Sequence, residues 1–410
     1  MINTRNLLVY GAAAAAIGYV FSIASGSIGL IMLLAFWLLN YKELIFKALL
    51  KRNSLYLLIL FFLILLLELS YTIDLKQGKK DIIRHLAFVI YPLVFITIKP
   101  FTTKERLVII KIFIHSLSIF FIVCLITAIV RQIGFWQRGG IFNWYYFYRY
   151  DFLEVFRQHP TYLSIYTLLS LSFLSFGKKL LFRRRWLFYG SLLLQISALI
   201  LYGSRMGYLL FLVLMTVYFS KNILGKKGRE RARTFALYIL GLVVLFFILL
   251  NIPIVKERIL YTIGANYNYK FNNQEFIEDK TPEEQGRLLL WQDALDLIKE
   301  RPLLGYGTGS SRKVLIEKYK QEGHTLFLEN LFNAHNTYIE TMLIGGIPLF
   351  LAFLSLVMSL FCKAAIRKDI IVFYFAAIVA MVSFTETIFL AQGILFLSFF
   401  YCFLLTKTNE

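Results

Sequence analysis

Long apolar runs separated by short charged clusters set the pattern of this chain. A helix needs about 20 apolar residues to cross the hydrocarbon core of a bilayer. On that spacing the pattern predicts twelve spans: 7–24, 28–41, 55–73, 85–98, 107–130, 161–176, 186–202, 207–220, 234–252, 337–361, 370–384 and 388–405. Inside lipid the backbone must satisfy its own hydrogen bonds, so spans of this length are read as helices. The expected architecture is all-α and polytopic, with about twelve transmembrane helices. Gly11 and the alanines through Ala16 run on through a short break into a second apolar segment. The first run is therefore read as a retained helix rather than a secretion signal.

Residues 253–336 interrupt the pattern. They are polar, with eleven Lys/Arg against twelve Asp/Glu, and unstructured connections beyond roughly 15 residues are usually functional. Three regions follow: 1–252 with spans one to nine, 253–336 as a loop containing helices, and 337–410 with spans ten to twelve. Within the loop, Thr281 as N-cap, Pro282 and Glu284 signal a helix start. Leu288, Trp291, Leu295 and Ile298 supply its apolar stripe, leaving Asp293 and Asp296 on the expected solvated face. Pro302 ends it, and Gly305, Gly307 and Gly309 read as turn chemistry. A smaller loop, 131–160, is crowded with aromatics and arginine, from Trp136 to Tyr150.

Composition agrees with the pattern. Hydrophobic residues are 59% and charged residues 17% of the 410, against roughly 45–50% and about 25% in soluble proteins. Mean hydropathy is +0.67. The formal net charge of +20 is spread in clusters between spans, which excludes a nucleic-acid face and fits the positive-inside bias. With both termini cytoplasmic, twenty-three Lys/Arg fall inside and nine in the short outer loops. The outer loop at 74–84 dissents, since it holds Lys76, Lys79, Lys80 and Arg84. Cys124, Cys362 and Cys402 lie in or beside apolar runs without metal-type spacing.

Three residues stand out by position. Arg205, in Gly203-Ser204-Arg205, sits at the tip of a tight hairpin, where it either meets a partner or snorkels to headgroups. Arg287 opens the loop helix, where the dipole disfavours a cation unless an anion lies between them; its alternative is pairing with Glu283 or Asp293. His335 lies where the loop enters span ten and is suited to accept a hydroxyl proton. Together they suit a pyrophosphate leaving group held by guanidinium groups while an imidazole activates the acceptor. The outer loops lack a D-x-D pair, which favours metal-free chemistry. Arg157 and His159, at the start of span six, and Asn336 and Tyr338, beside His335, are further substrate-binding candidates. Glu68 is an acid inside a predicted span, a position often retained for function.

The stretch Gly286-Arg287, Trp291, Ile298 and Arg301-Pro302-Leu303-Leu304-Gly305-Tyr306-Gly307 resembles the signature of the O-antigen ligase/polymerase family. So do Ala334-His335-Asn336, Tyr338-Ile339-Glu340 and Gly345-Gly346-Ile347-Pro348, and the span-opening Gly203-Ser204-Arg205 and Arg157-Gln158-His159-Pro160. The resemblance covers essentially the whole chain. It implies a bacterial inner-membrane glycosyltransferase of the GT-C type with a periplasmic active site, no cofactor and no metal. Such an enzyme moves glycan from undecaprenyl pyrophosphate to a sugar hydroxyl of lipid A–core, with inversion. By the same resemblance, Arg205 and Arg287 match the arginines assigned to donor pyrophosphate, and His335 the histidine that activates the acceptor. The implied partners are the lipid-linked donor, the lipid A–core acceptor and membrane lipids. A polymerase joining lipid-linked repeat units is the nearest alternative. A transporter or flippase fits less well, because the chain shows no internal repeat.

Overall fold

The computed structural model describes residues 4–41, 53–182, 184–224, 226–251 and 287–406, and among these the chain is helical, with no strand. Helices α1 (Thr4–Phe21), α2 (Ile23–Leu39), α3 (Tyr56–Glu68), α4 (Leu75–His85), α5 (Ala87–Thr97) and α6 (Thr103–Gln137) come first. Next are α7 (Arg149–Leu153), α8 (Pro160–Leu181), α9 (Arg185–Tyr202), α10 (Arg205–Leu224) and α11 (Gly228–Asn251). After residues 252–286 come α12 (Arg287–Glu300), α13 (Ser311–Gln321), α14 (Thr325–Asn330), α15 (Thr337–Arg367), α16 (Ile370–Val382) and α17 (Ala391–Leu405).

Every predicted span contains a helix. Among the described residues four helices, α6, α9, α10 and α15, are long and apolar enough to cross a membrane, and the chain is a helical membrane protein. On α6 the residues Ile119, Ile122, Ile126, Ile129 and Ile133 form an exposed stripe at helical spacing, while Phe113, Leu117, Phe120 and Cys124 face inward and are buried. Such an apolar ridge is tolerated where lipid rather than water covers it. The predicted cap residues Thr281, Pro282 and Glu284 lie outside the described residues.

By internal packing the chain divides into two units, one of residues 1–8, 34–101 and 262–410, the other of 9–33 and 102–261. In the second unit α8 is the core helix. It packs against α6, α9 and α10 and buries Tyr162, Leu163, Ile165, Tyr166, Leu168 and Leu169. Two of its buried serines donate to their own helix, Ser164 to Pro160 O at 2.8 Å and Ser172 to Leu169 O at 2.7 Å. The α1–α2 turn belongs here too, closed by the Ser25 hydroxyl donating to Gly18 O at 2.7 Å.

In the first unit α15 packs against α3 and α16, and α17 against α5. Phe61 anchors this core, with ring centroids 5.2 Å from Phe389 and 5.6 Å from Phe88. Helix α15 is interrupted at Gly346, whose φ of 60° and ψ of −148° are open essentially to glycine alone. The break frees two carbonyls, and a loop uses them. Tyr306 N donates to Leu343 O and Gly307 N to Ile344 O, both at 2.8 Å, while Ile347 N donates to Pro302 O at 3.1 Å. The Arg301–Gly309 loop is thus pinned into α15 by its backbone. A Cβ at Gly346 would collide with the Leu303 backbone.

Gly346→Ala should therefore lower the thermal denaturation midpoint in detergent by roughly 5 °C or more, from about 2–4 kcal/mol of strain and lost docking. Gly190→Ala, on an open face of α9, should leave it unchanged or slightly raised.

Candidate functional site

The start of α15 holds a cluster of groups from three distant stretches. Asn336 caps the helix, its Oδ1 accepting from Tyr338 N at 2.9 Å and Ile339 N at 3.2 Å. Thr337 is fully buried and stitches the α16–α17 connection to this cap. Its amide donates to Ser383 O at 2.7 Å, its hydroxyl donates to Glu386 O at 2.8 Å, and it accepts from Ile388 N at 3.0 Å. Immediately before the cap, His335 takes a left-handed backbone with φ of 44°, a conformation costing a non-glycine residue of order 1–2 kcal/mol. Asn333 Oδ1 supports it by accepting His335 N–H at 3.0 Å. This places the imidazole toward the Glu386 side chain.

Glu386 is the centre of the cluster. Its Oε2 lies 3.4 Å from His335 Nδ1 and its Oε1 3.5 Å from an Arg287 guanidinium nitrogen. The carboxylate is 11% exposed, against 25% for the imidazole and 30% for the guanidinium, so both partners keep a face toward solvent. An ionised carboxylate only accepts hydrogen bonds. A proton on Nδ1 therefore suits this contact, which leaves the Nε2 lone pair for another group. One turn from Arg287, Trp291 Nε1 donates to Ala334 O at 2.9 Å and clamps α12 against the His335 backbone. Tyr338 hydroxyl donates to Ala380 O at 3.1 Å, and its ring packs 4.7 Å from Phe384. The Asn336 carbonyl and the Tyr338 hydroxyl are thus engaged within the protein, where they hold the cap that carries His335.

A second acid lies one turn into α15. Glu340 is buried and accepts from the Ser311 hydroxyl at the start of α13. Its other oxygen has no hydrogen-bond partner among the described residues. Electrostatically it senses both His335 and Asp81 of α4.

Helix α12 departs from the expected face. Leu288 and Leu295 are exposed, and the buried set is Leu290, Asp293, Ala294 and Leu297. Leu290, Ala294 and Leu297 join Val314, Leu315, Tyr319, Phe327 and Leu343 in one core. Asp293 was expected on the solvated face, yet it is 3% exposed and 2.9 Å from His324 Nδ1. Its partner from the preceding turn of α14 lets the acid lie inside without a bare charge. Arg287 pairs with Glu386, not with Asp293; Glu283 lies outside the described residues. Gly305, Gly307 and Gly309 serve close packing against α15, α3–α4 and α4, where side chains would collide.

Arg205, Arg157 and His159 belong to the second unit. Ser204 Oγ accepts Gly207 N–H at 3.1 Å, which starts α10 at Arg205, and Gly203 turns in a left-handed conformation against the Tyr148 ring. His159 caps α8, its Nδ1 accepting Thr161 N–H at 3.3 Å while Nε2 bonds the Tyr150 hydroxyl at 2.8 Å. Arg157 is exposed, with φ of 50°. Sequence reasoning treated Glu386 only as part of the spacer between two spans. The signal was available, because it is the one acid between Asp369 and the terminal Glu410 in an otherwise apolar stretch.

Residues 190–354 match the family model described as O-antigen ligase. The match includes Arg205, Arg287 and His335 and leaves Arg157, His159 and Glu386 outside. None of the curated proteins compared matches the chain.

Burial raises the Asp293 carboxyl above its ordinary value, offset in part by His324. A folded-state pKa above the unfolded one gives stability that is complete below the unfolded value and declines as pH rises through the folded one. Hydrogen exchange of the full chain should show α12–α14 less protected as pH rises through that raised value. Asp293→Asn should flatten the decline; an equally steep one in the variant would place its cause elsewhere.

Proposed function

We propose that this chain, whose residues 190–354 match the O-antigen ligase family model, has O-antigen ligase or polymerase-type activity and is the ligase. In this reading it transfers glycan from undecaprenyl pyrophosphate to a sugar hydroxyl of lipid A–core at the periplasmic face of the bacterial inner membrane. Both termini are cytoplasmic, and neither metal nor cofactor takes part. The observation that carries the reading is the Glu386 carboxylate held between Arg287 and His335.

The chemistry follows from that contact. Glu386 holds His335 through Nδ1, so Nε2 removes the proton from the acceptor hydroxyl. The freed oxygen attacks the anomeric carbon from the face opposite the pyrophosphate, and the glycosyl C–O bond breaks with inversion. The electron pair leaves with undecaprenyl pyrophosphate, whose charge Arg287 receives through charge-assisted hydrogen bonds. Glu386 meanwhile stabilises the imidazolium, as a carboxylate does for a catalytic histidine. At 3.5 Å and with the guanidinium 30% exposed, the Arg287–Glu386 pair is weak, on the order of 1 kcal/mol, so a pyrophosphate can displace the carboxylate. Asn336 and Tyr338 position the base. Arg205 is assigned to donor phosphate on the resemblance alone, and Arg157 and His159 to substrate contact on the same ground.

Purified protein, given lipid-linked donor and lipid A–core, should yield glycan on the core. Lengthening of glycan on undecaprenyl pyrophosphate instead would assign the polymerase. Arg205→Ala, Arg287→Ala and His335→Ala should each cut transfer by roughly 100-fold or more with insertion intact. Glu386→Gln should lower kcat by about 10- to 100-fold and change its pH profile. Full activity in His335→Ala would reject the base.

A further inference from the structure

Helix α4 carries the cations that contradict the positive-inside pattern. Gly78, Asp81 and His85 lie on its inner face, and Lys76, Lys79, Lys80, Ile83 and Arg84 on its exposed one. Both of the acids nearby are committed elsewhere. Asp74 caps the helix by accepting from Gln77 N at 3.0 Å, and Asp81 accepts from Gln77 Nε2 at 2.9 Å and from Arg84 at 3.0 Å. Lys76, Lys79 and Lys80 form no hydrogen bond or ion pair among the described residues. Arg312 and Lys313, exposed at the start of α13, extend the patch, with Lys313 Nζ reaching Ile73 O at 3.4 Å.

The patch is fixed relative to the catalytic candidate. Gly78 lies directly against the Thr308 carbonyl, and Gly309 against the Gly78 backbone. Thr72 joins the same contact through the Thr308 carbonyl at 2.8 Å and the Ser310 hydroxyl at 2.7 Å. Asp81, on the inner face, acts electrostatically on Glu340, which also senses His335. Three lysines without a partner among the described residues therefore sit outside a helix whose inner face packs on the Thr308–Ser310 loop that leads into α13. Exposed Ile73, Leu75, Ile83 and Leu86 flank them, so the ligand that matches this face has phosphate groups and acyl chains together.

We propose that the exposed face of α4 binds the phosphate groups of the acceptor glycolipid and so brings its saccharide to His335. The proposal rests on the transferase reading for its consequence, but binding can be read without transfer. Cations one helical turn apart lie about 5–6 Å from each other, a spacing that serves several phosphates on one saccharide. The donor's diphosphate already has Arg287. Each lysine near such a surface is worth on the order of one kcal/mol, so three removed together should be visible.

The test uses the full-length protein in detergent, with lipid A–core and its enzymatically dephosphorylated form as probes. Lys76→Gln, Lys79→Gln and Lys80→Gln combined should weaken binding of the phosphorylated probe, and raise its KM, by about 10- to 100-fold. Donor KM and kcat should stay within about twofold, and the variant should no longer distinguish the two probes. Changing the same three residues to Arg should restore discrimination. Unchanged binding in the Gln variant would overturn the proposal. So would equal loss for the dephosphorylated probe, or equal competition by phosphatidylglycerol micelles, which would mark a general headgroup site. Phosphate-dependent binding without transfer would leave the patch standing and remove the transferase reading instead.

Discussion

A single carboxylate lying between a guanidinium and an imidazole ties together three stretches of chain that are far apart in sequence. The contacts are long and partly exposed, at 3.4 and 3.5 Å, and contribute little to stability. What they fix is orientation. Thr337 binds the Glu386 backbone to the α15 cap, Asn336 builds that cap, and Trp291 holds α12 against Ala334. The left-handed backbone of His335 persists because these bonds over-determine it.

The break at Gly345-Gly346 has a related role at the other end of the same turn-and-loop system. An uninterrupted α15 would consume the Leu343 and Ile344 carbonyls within the helix, and the Arg301–Gly309 loop would have no backbone partner there. With the break, that loop joins α15 and reaches Thr72 and α4. Glycines that read as turn chemistry in sequence are also the places where backbone meets backbone. The stretch from Arg287 to Pro348 is thus largely a loop that locks into a broken helix, with Arg287 and His335 carried before and after it.

Much of this was legible in the sequence, and the remainder failed for identifiable reasons. Apolar run length located a helix in all twelve expected spans, because lipid imposes one secondary structure on such runs. Arg287 and His335, which the structure brings to one carboxylate, stood out in sequence because a cation at a helix start and a histidine at the end of a polar loop are locally out of place. Glu386 was missed because its partners lie about fifty and a hundred positions earlier, and a three-residue spacer between spans gives no periodic signal. The face of α12 was misassigned because Leu288 and Leu295 look like core, while the buried side is completed by Asp293. Only the distant His324 makes that acid tolerable inside, and side-chain pairing of this kind has no local pattern. The dissent of Lys76, Lys79 and Lys80 from the charge rule was visible from the start, and its meaning came only with the packing of Gly78 beneath them.

The most direct measurement is the tautomer of His335 by nitrogen-15 NMR on histidine-labelled protein, its signal assigned by loss in His335→Gln. The Glu386 contact predicts that the neutral form of the ring carries its proton on Nδ1, with Nε2 bare, and that it becomes a mixture of tautomers once Glu386 is replaced by Gln. A ring protonated on Nε2, unaltered by that replacement, would contradict the arrangement at its centre.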